Sequence, residues 1–248
     1  MATEVQPQTV QHVEKVHSLF SAIAERYDVI NDVQSFGLHR RWKRRLAELA
    51  GVGPGQLALD VCCGTGDVAF ALARRGAQVI GIDFSRAMIE QARRRQQCCV
   101  NVLCSSGAGP ANPAFVLGDA LELPFPDNTF DAATNSYGLR NLVSWERGLQ
   151  EMIRVVKHGG RVLVLDFGKP ANRLLRAIYF GYVRLALPAL GGIIAGNAAA
   201  YRYVMESLAR YPAQQGVQTK MRELGLDCVR VFDLVGGVMS ISLGTKPC

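Results

Sequence analysis

The chain predicts an α/β fold: a seven-stranded sheet, mostly parallel, closed by an antiparallel hairpin strand. Three observations carry that expectation. Short apolar runs alternate with helix-period segments from Leu57 to Phe167, the pattern of parallel strands with helices on both faces. The first run leads into a glycine loop, LDVCCGTGDVAF, Leu59 to Phe70. Near the C-terminus, CVRVFDLV and GGVMSISLGTK read as two strands joined at Gly236-Gly237, where a nicotinamide-type fold would go on alternating.

Val10 to Tyr27 has apolar residues at helical spacing (Val13, Val16, Leu19, Phe20, Ile23) and reads as an amphipathic helix. Ser35 to Ala50 reads as a second helix, and GVGPGQ as a loop. LALDV is the first strand and DVAFALARRG a helix ending at Gly76. QVIGID is the second strand, followed by a helix opened by a Ser85 cap and running to about Arg95. Gln96 to Pro113, rich in Ser, Gly, Asn and Pro, reads as a surface loop. AFVLGD is the third strand, and FDAATNS, entered through the turn FPDN, the fourth. SWERGLQEMIRVV is a helix that stops at His158-Gly159-Gly160, and RVLVLDF is the fifth strand. AAAYRYVMESLARY and AQQGVQTKMRELG are further helices. One domain over 1–248 is expected, with N-terminal helices at 10–50 and a helical, substrate-side insertion at about 171–224.

At 248 residues, 49% hydrophobic and 20% charged, the chain has the composition of a globular protein with a sizeable core. Its seven cysteines, odd in number and irregularly placed, point to reduced thiols in the cytoplasm rather than a disulfide framework. Cys98, Cys99 and Cys104 lack a paired CxxC and a fourth ligand, so no metal is expected. MATEVQPQTV shows no signal-peptide pattern. The apolar region Arg173 to Gly196 is interrupted by Arg173, Arg176 and Arg184, and its uninterrupted part falls short of the about 20 residues of a spanning helix. It reads as interfacial or buried. The net charge of +7 gathers in HRRWKRR and ARRRQ. A solvated helix face is the plainest reading of these runs. An anionic membrane surface fits them better than nucleic acid, because no stacking aromatics accompany them.

GTGDVA, Gly64 to Ala69, matches the dinucleotide pattern, with Asp83 closing the second strand where it can take ribose hydroxyls. Alone the match is weak. Asp60 places an acid where a cationic methionine amine would want one, and Asp67 would repel a pyrophosphate at the helix start. Asp119 after the third strand can accept from an adenine amine while the Ala120 N–H donates to a ring nitrogen. Each acid alone reads as a cap, a surface charge or a strand-end acid. Together with the closing hairpin they describe a site for adenosine bearing a positive charge, which is the character of S-adenosyl-L-methionine. Cys62 and Cys63 read as small residues where the chain passes close to that cofactor.

YDVINDVQSFGLHRRWKRR, LDVCCGTGDVA, DALELPFPDNTFDAATNSYGLRNL, RVVKHGGRVLVLDFGKP and YRYVMESLARYP, in order along nearly the whole chain, resemble the ubiquinone/menaquinone C-methyltransferase family. The resemblance implies a Rossmann-like class I S-adenosyl-L-methionine-dependent methyltransferase. It implies cofactor contacts at Thr65, Asp83, Asp119 with Ala120, and Ser136, to which the reading of the loop itself adds Gly64 and Gly66 beside Asp60. It also implies ring-carbon methylation of a polyprenylated hydroquinone: demethylmenaquinol to menaquinol and, in some members, the benzoquinol precursor of ubiquinone. His158 stands where the family usually has proline, and Ser242 where many members have histidine.

A ring carbon becomes nucleophilic once its neighbouring hydroxyl loses a proton. Arg140 is the candidate to stabilise the phenolate, Asn141 to orient it, and His39 to act as base, the alternative for His39 being a surface residue in a basic helix. Tyr137 and Tyr201 are candidates to line the ring pocket, and Ala177 to Ile194 to shelter the isoprenoid tail. The partners expected are the polyprenylated quinol, an anionic membrane surface in peripheral contact and a second copy of the chain in a homodimer. Two other readings stay open: an NAD-dependent oxidoreductase, and a non-catalytic cofactor-binding partner in quinone synthesis.

Overall fold

In the computed structural model, residues 31–32, 35–103, 112–181, 207–208 and 211–248 are described. The expected helix at 10–27, half of the insertion, Cys104 and Tyr201 lie outside them. The strands are β1 (Leu57–Val61), β2 (Gln78–Asp83), β3 (Ala114–Leu117), β4 (Phe130–Ser136), β5 (Val156–Phe167), β6 (Asp227–Leu234) and β7 (Met239–Thr245). They form one seven-stranded sheet in the order β3-β2-β1-β4-β5-β7-β6. β1 to β5 pair in parallel, and β7 runs antiparallel to both β5 and β6. The expected sheet, with its closing antiparallel strand, is present.

Around it lie α1 (Leu38–Ala50), α2 (Asp67–Ala73), α3 (Arg86–Leu103), α4 (Trp145–Val155) and α5 (Ala213–Glu223), with helical residues also at 173–181. Alternate strand residues face opposite layers, so β5 feeds two cores. Leu163 and Leu165 pack with Leu46 of α1, Leu72 of α2 and Ile89 of α3. Val162 and Val164 pack with Met152 of α4 and Met221 of α5. With both faces covered, β1 reads as a continuous apolar run apart from Asp60.

Four local expectations are corrected. α3 runs on to Leu103, so Gln96 to Leu103 is helix rather than loop. No Gly, Pro or Ser interrupts that stretch, and the first breakers, Ser105-Ser106-Gly107, come after it. Ser85 caps nothing through its side chain: its hydroxyl is buried without a partner, while its N–H donates to Asp83 Oδ1. Regular helix α1 begins at Leu38 rather than Ser35, because Phe36 and Gly37 both take positive φ (51° and 72°). α4 stops at Val155 rather than at His158-Gly159-Gly160, and β5 begins one residue later. The carbonyls of Arg154 and Val155 there accept from Asn128 and Thr129 across the turn into β4, which draws the chain into the sheet.

Candidate cofactor and substrate site

β1 sits mid-sheet, between β2 on one side and β4 on the other. Connections from β1 leave in one direction and those from β4 in the other, and ligands of such sheets collect in the crevice at that switch point. A cleft opens there. Gly64, Asp83, Asp119, Ala120, Ser136 and Asn141, six of the residues expected at the site, line it. Its apolar walls come from Ile82, Phe84, Met88 and Leu121. Of these, Phe84 and Leu121 follow the strand-end acids by one and two residues, so the position after each acid is the signal in the sequence that marks them.

The glycine loop shows why each position matters. Gly66 takes φ 88°, and a Cβ there would come within 2.7 Å of the Phe115 ring, so glycine is required twice over. Gly64 also has positive φ, but a Cβ there would meet nothing within 4 Å: its open side is space for a ligand. Cys62 adopts φ 55°, a left-handed conformation that costs a side-chain residue about 1–2 kcal/mol, and it lines the cleft. Cys63 points into the core instead. Burial pushes both thiols well above the ordinary cysteine range, so neither is a reactive thiolate.

Asp83 is buried, and its carboxyl accepts backbone N–H groups of Gly64 at 2.8 Å, of Ser85 at 2.9 Å and of Phe84. Burial raises its pKa and those hydrogen bonds partly offset the rise. A carboxylate offers about four acceptor positions, so one is left for a ligand hydroxyl. Asp119 Oδ1 accepts from Leu121 N–H at 2.8 Å, which turns the loop so that Ala120 and Leu121 face the cleft. The Ser136 hydroxyl is buried there without a partner. An apolar slot between two carboxylates, an open glycine and an unsatisfied hydroxyl fits an adenosyl group with a positively charged end.

The other expected residues are used elsewhere. The Asp60 carboxylate accepts from Thr134 Oγ1 (2.9 Å) and the Ala69 N–H (3.1 Å), and burial pushes it up to about 7. It joins β1, β4 and α2 rather than facing the cleft. Asp67 bonds Lys43 Nζ at 2.8 Å and Arg95 at 2.7 Å, and Arg95 also bonds the carbonyl and hydroxyl of Thr65. Burial opposes ionisation of Asp67, but the two cations outweigh it and hold its carboxyl well below the usual range. These bonds latch the glycine loop to α1 and α3 through Thr65 and Asp67, and neither Thr65 nor Gly66 lines the cleft.

His39 is buried, with Nδ1 at 2.9 Å from Ser35 Oγ. It lines a separate polar cavity with Arg40, Lys43, Arg44, Asp67 and Arg95 rather than the cleft. Burial, then the Lys43 charge, lowers its pKa. Arg140 donates to Asp166 Oδ1 at 2.7 Å and to the Tyr137 carbonyl at 2.9 Å. Asn141 donates to the same carbonyl at 3.0 Å, which fixes Tyr137 at φ 62° on the cleft wall. Among the described residues no group of His, Cys, Asp and Glu could hold a metal, and no helix is long and apolar enough to cross a membrane.

The sequence model of the ubiE/COQ5 methyltransferase family matches residues 8–246. The chain is 41% identical over 244 residues to the ubiquinone/menaquinone biosynthesis C-methyltransferase UbiE of Ectopseudomonas mendocina, covering 96% of this chain and 91% of that protein. The UbiE of Azotobacter vinelandii is 40% identical, covering 96% and 92%. A solved S-adenosylmethionine-dependent methyltransferase from Thermotoga maritima superposes with a TM-score of 0.62 at 18% identity, over 93% of this chain and 99% of that one. The [4+2]-cyclase SpnF superposes at 0.58 with 19% identity, over 94% and 95%. The shared fold therefore does not by itself decide the reaction.

Proposed function

This chain belongs to the ubiE/COQ5 methyltransferase family, and on that premise we propose that it transfers a methyl group from S-adenosyl-L-methionine to a ring carbon of a polyprenylated hydroquinone, converting demethylmenaquinol to menaquinol. The observation that carries the reading is the identity of about two residues in five with UbiE proteins over 96% of the chain. The relatives' names cover ubiquinone as well as menaquinone synthesis, which favours methylation of the benzoquinol precursor of ubiquinone as a second reading.

When bound, S-adenosyl-L-methionine supplies the electrophilic methyl group. Asp83 would hold the ribose hydroxyls, Asp119 the adenine amine, and the Ser136 hydroxyl a further polar atom. Ile82, Phe84 and Leu121 would exclude water along the adenosine, and Gly64 leaves room for the methionine end. Tyr137 and Asn141, held by hydrogen bonds to and around one carbonyl, form the wall on the side facing the reacting carbon. A free phenol ionises near pH 10, so the quinol hydroxyl needs a proton acceptor and a stabilising cation at neutral pH. Arg140 donates to the Tyr137 carbonyl of that wall at 2.9 Å and is the candidate cation.

Leu174 and Ile178, four residues apart on the helical stretch 173–181, are 70% and 61% exposed, with Arg173 and Arg176 beside them. An apolar stripe flanked by cations suits an isoprenoid tail at an anionic membrane surface.

The test is methyl transfer from labelled S-adenosyl-L-methionine to purified demethylmenaquinol beside a demethylated benzoquinol. Labelled menaquinol is the expected product. Label in the benzoquinol alone would replace the first reading with the second, and label in neither would overturn both.

A further inference from the structure

Three polar atoms close enough to the Arg140 charge to feel it lie buried without a hydrogen-bond partner: Asp166 Oδ2, the Tyr179 hydroxyl and the Tyr211 hydroxyl. Their residues are only 2%, 8% and 4% exposed. Native structures pair nearly all buried polar groups, so three orphans grouped around one arginine call for an occupant. Tyr179 and Tyr211 line one small cavity together with Phe167 and Gly168, the two residues after Asp166. The charges of Asp166 and Arg140 act on both phenols. The Arg140 guanidinium lies 4.9 Å from the centre of the Phe167 ring and 5.9 Å from that of Tyr137, which lines the cleft. The cavity, about 10 Å³, has room for a single oxygen atom and not for a ring.

We infer that Asp166 Oδ2 and the hydroxyls of Tyr179 and Tyr211 receive the ring hydroxyl next to the carbon that is methylated, and that Asp166 takes its proton. The inference rests on the quinol reading above. The donor and acceptor balance fits a hydroxyl: a carboxylate oxygen accepts its hydrogen, and two phenol O–H groups donate to its oxygen. The proton moves from the ring hydroxyl to Asp166, and its electron pair spreads onto the ring carbon. That carbon forms the new bond to the methyl group as the methyl–sulfur bond breaks, with its pair left on sulfur. The carbon then releases its hydrogen to solvent as a proton and Asp166 returns one to the oxygen, so one proton is released in all.

Electrostatics favour this exchange. Before transfer the buried site holds Arg140 and a carboxylate; afterwards it holds Arg140, a phenolate and a neutral Asp166. No net charge is created in a dry place. Burial pushes Asp166 up, with Arg140 only partly offsetting it, and keeps both tyrosines neutral as donors. Across the sheet Asp166 pairs with the uncharged Ser240 of β7, and Asp233 of β6 stands one strand further on.

The test compares the wild-type chain with the Tyr179→Phe/Tyr211→Phe double variant, Asp166→Asn and Asp166→Glu, in the labelled assay with both quinols. Removing two unpaired hydroxyls should leave the thermal midpoint unchanged or higher and the KM for S-adenosyl-L-methionine unchanged, while kcat falls about 100-fold or more. Asp166→Asn should lower kcat by about 10²–10⁴-fold, and Asp166→Glu should recover part of that loss. Undiminished kcat in the double Phe variant, beside an active wild type, overturns the inference and leaves the quinol reading standing, even where Asp166→Asn fails to fold. A wild type inactive on both quinols overturns the reading and the inference together.

Discussion

Asp67 and Asp166 each bond an arginine at 2.7 Å, yet their carboxyls shift in opposite directions. Asp67 keeps a side chain 21% exposed and has a second cation, Lys43, at 2.8 Å. Asp166 is 3% exposed at the side chain, has one cation, and leaves Oδ2 unpartnered. Desolvation grows with burial and attraction with the number of cations. At Asp67 two cations win and the group is a permanent anion that latches the glycine loop. At Asp166 burial wins and the group is ready for a proton. An aspartate–arginine distance alone does not tell a structural pair from a working one.

The comparison breaks most visibly at Asp166→Ala. Arg140 would stay buried with its carboxylate gone, a loss of about 3–5 kcal/mol in urea denaturation. A loss below about 1 kcal/mol would show that the Tyr137 carbonyl suffices to hold Arg140. Asp67→Asn should cost less, about 2 kcal/mol at pH 7, because the site is wetter and charged hydrogen bonds of that kind are worth about 1.5–3 kcal/mol. Its pH dependence has a definite sign. The folded carboxyl ionises below its unfolded value of about 3.9, so its stabilisation is full above that pH and fades as pH falls through the depressed value. Urea midpoints of wild type and Asp67→Asn should therefore differ at pH 7 and converge toward pH 2. Asp166 runs the other way: its raised folded value favours the native state below about pH 3.9, an advantage lost as pH rises. Equal pH dependence in the two variants would sink the contrast. The smallest effect belongs to Cys62→Ser, since a buried thiol with no cation stays neutral whatever the pH in the working range. Methyl-transfer rates within about twofold of wild type across pH 6–8 are expected, and a larger loss would give the thiol a role.

Much of the lining of the cleft at the switch point was legible because strand ends are. Gly64, Asp83, Asp119, Ser136 and Asn141 each follow a short apolar run, and a parallel sheet with a switch point carries all such ends to one crevice. The roles of Asp60, Asp67 and Arg140 were not legible, because they depend on partners far along the chain. Thr134 stands 74 residues from Asp60, Arg95 stands 28 from Asp67, and Asp166 stands 26 from Arg140. Nor does spacing say that His39 turns inward to Ser35 and away from the cleft.

The sequence by itself determined the order of elements, the parallel run, the antiparallel closing strand and the family. Periodicity and turn residues act over a few neighbours, and those neighbours are written in the chain. Only the tertiary structure decided which carboxylates are spent on holding the loop, which face the cleft and which is left with an unanswered oxygen. Burial and charge pairing are properties of where residues meet in space, and a single aspartate becomes a latch or a proton acceptor by what surrounds it.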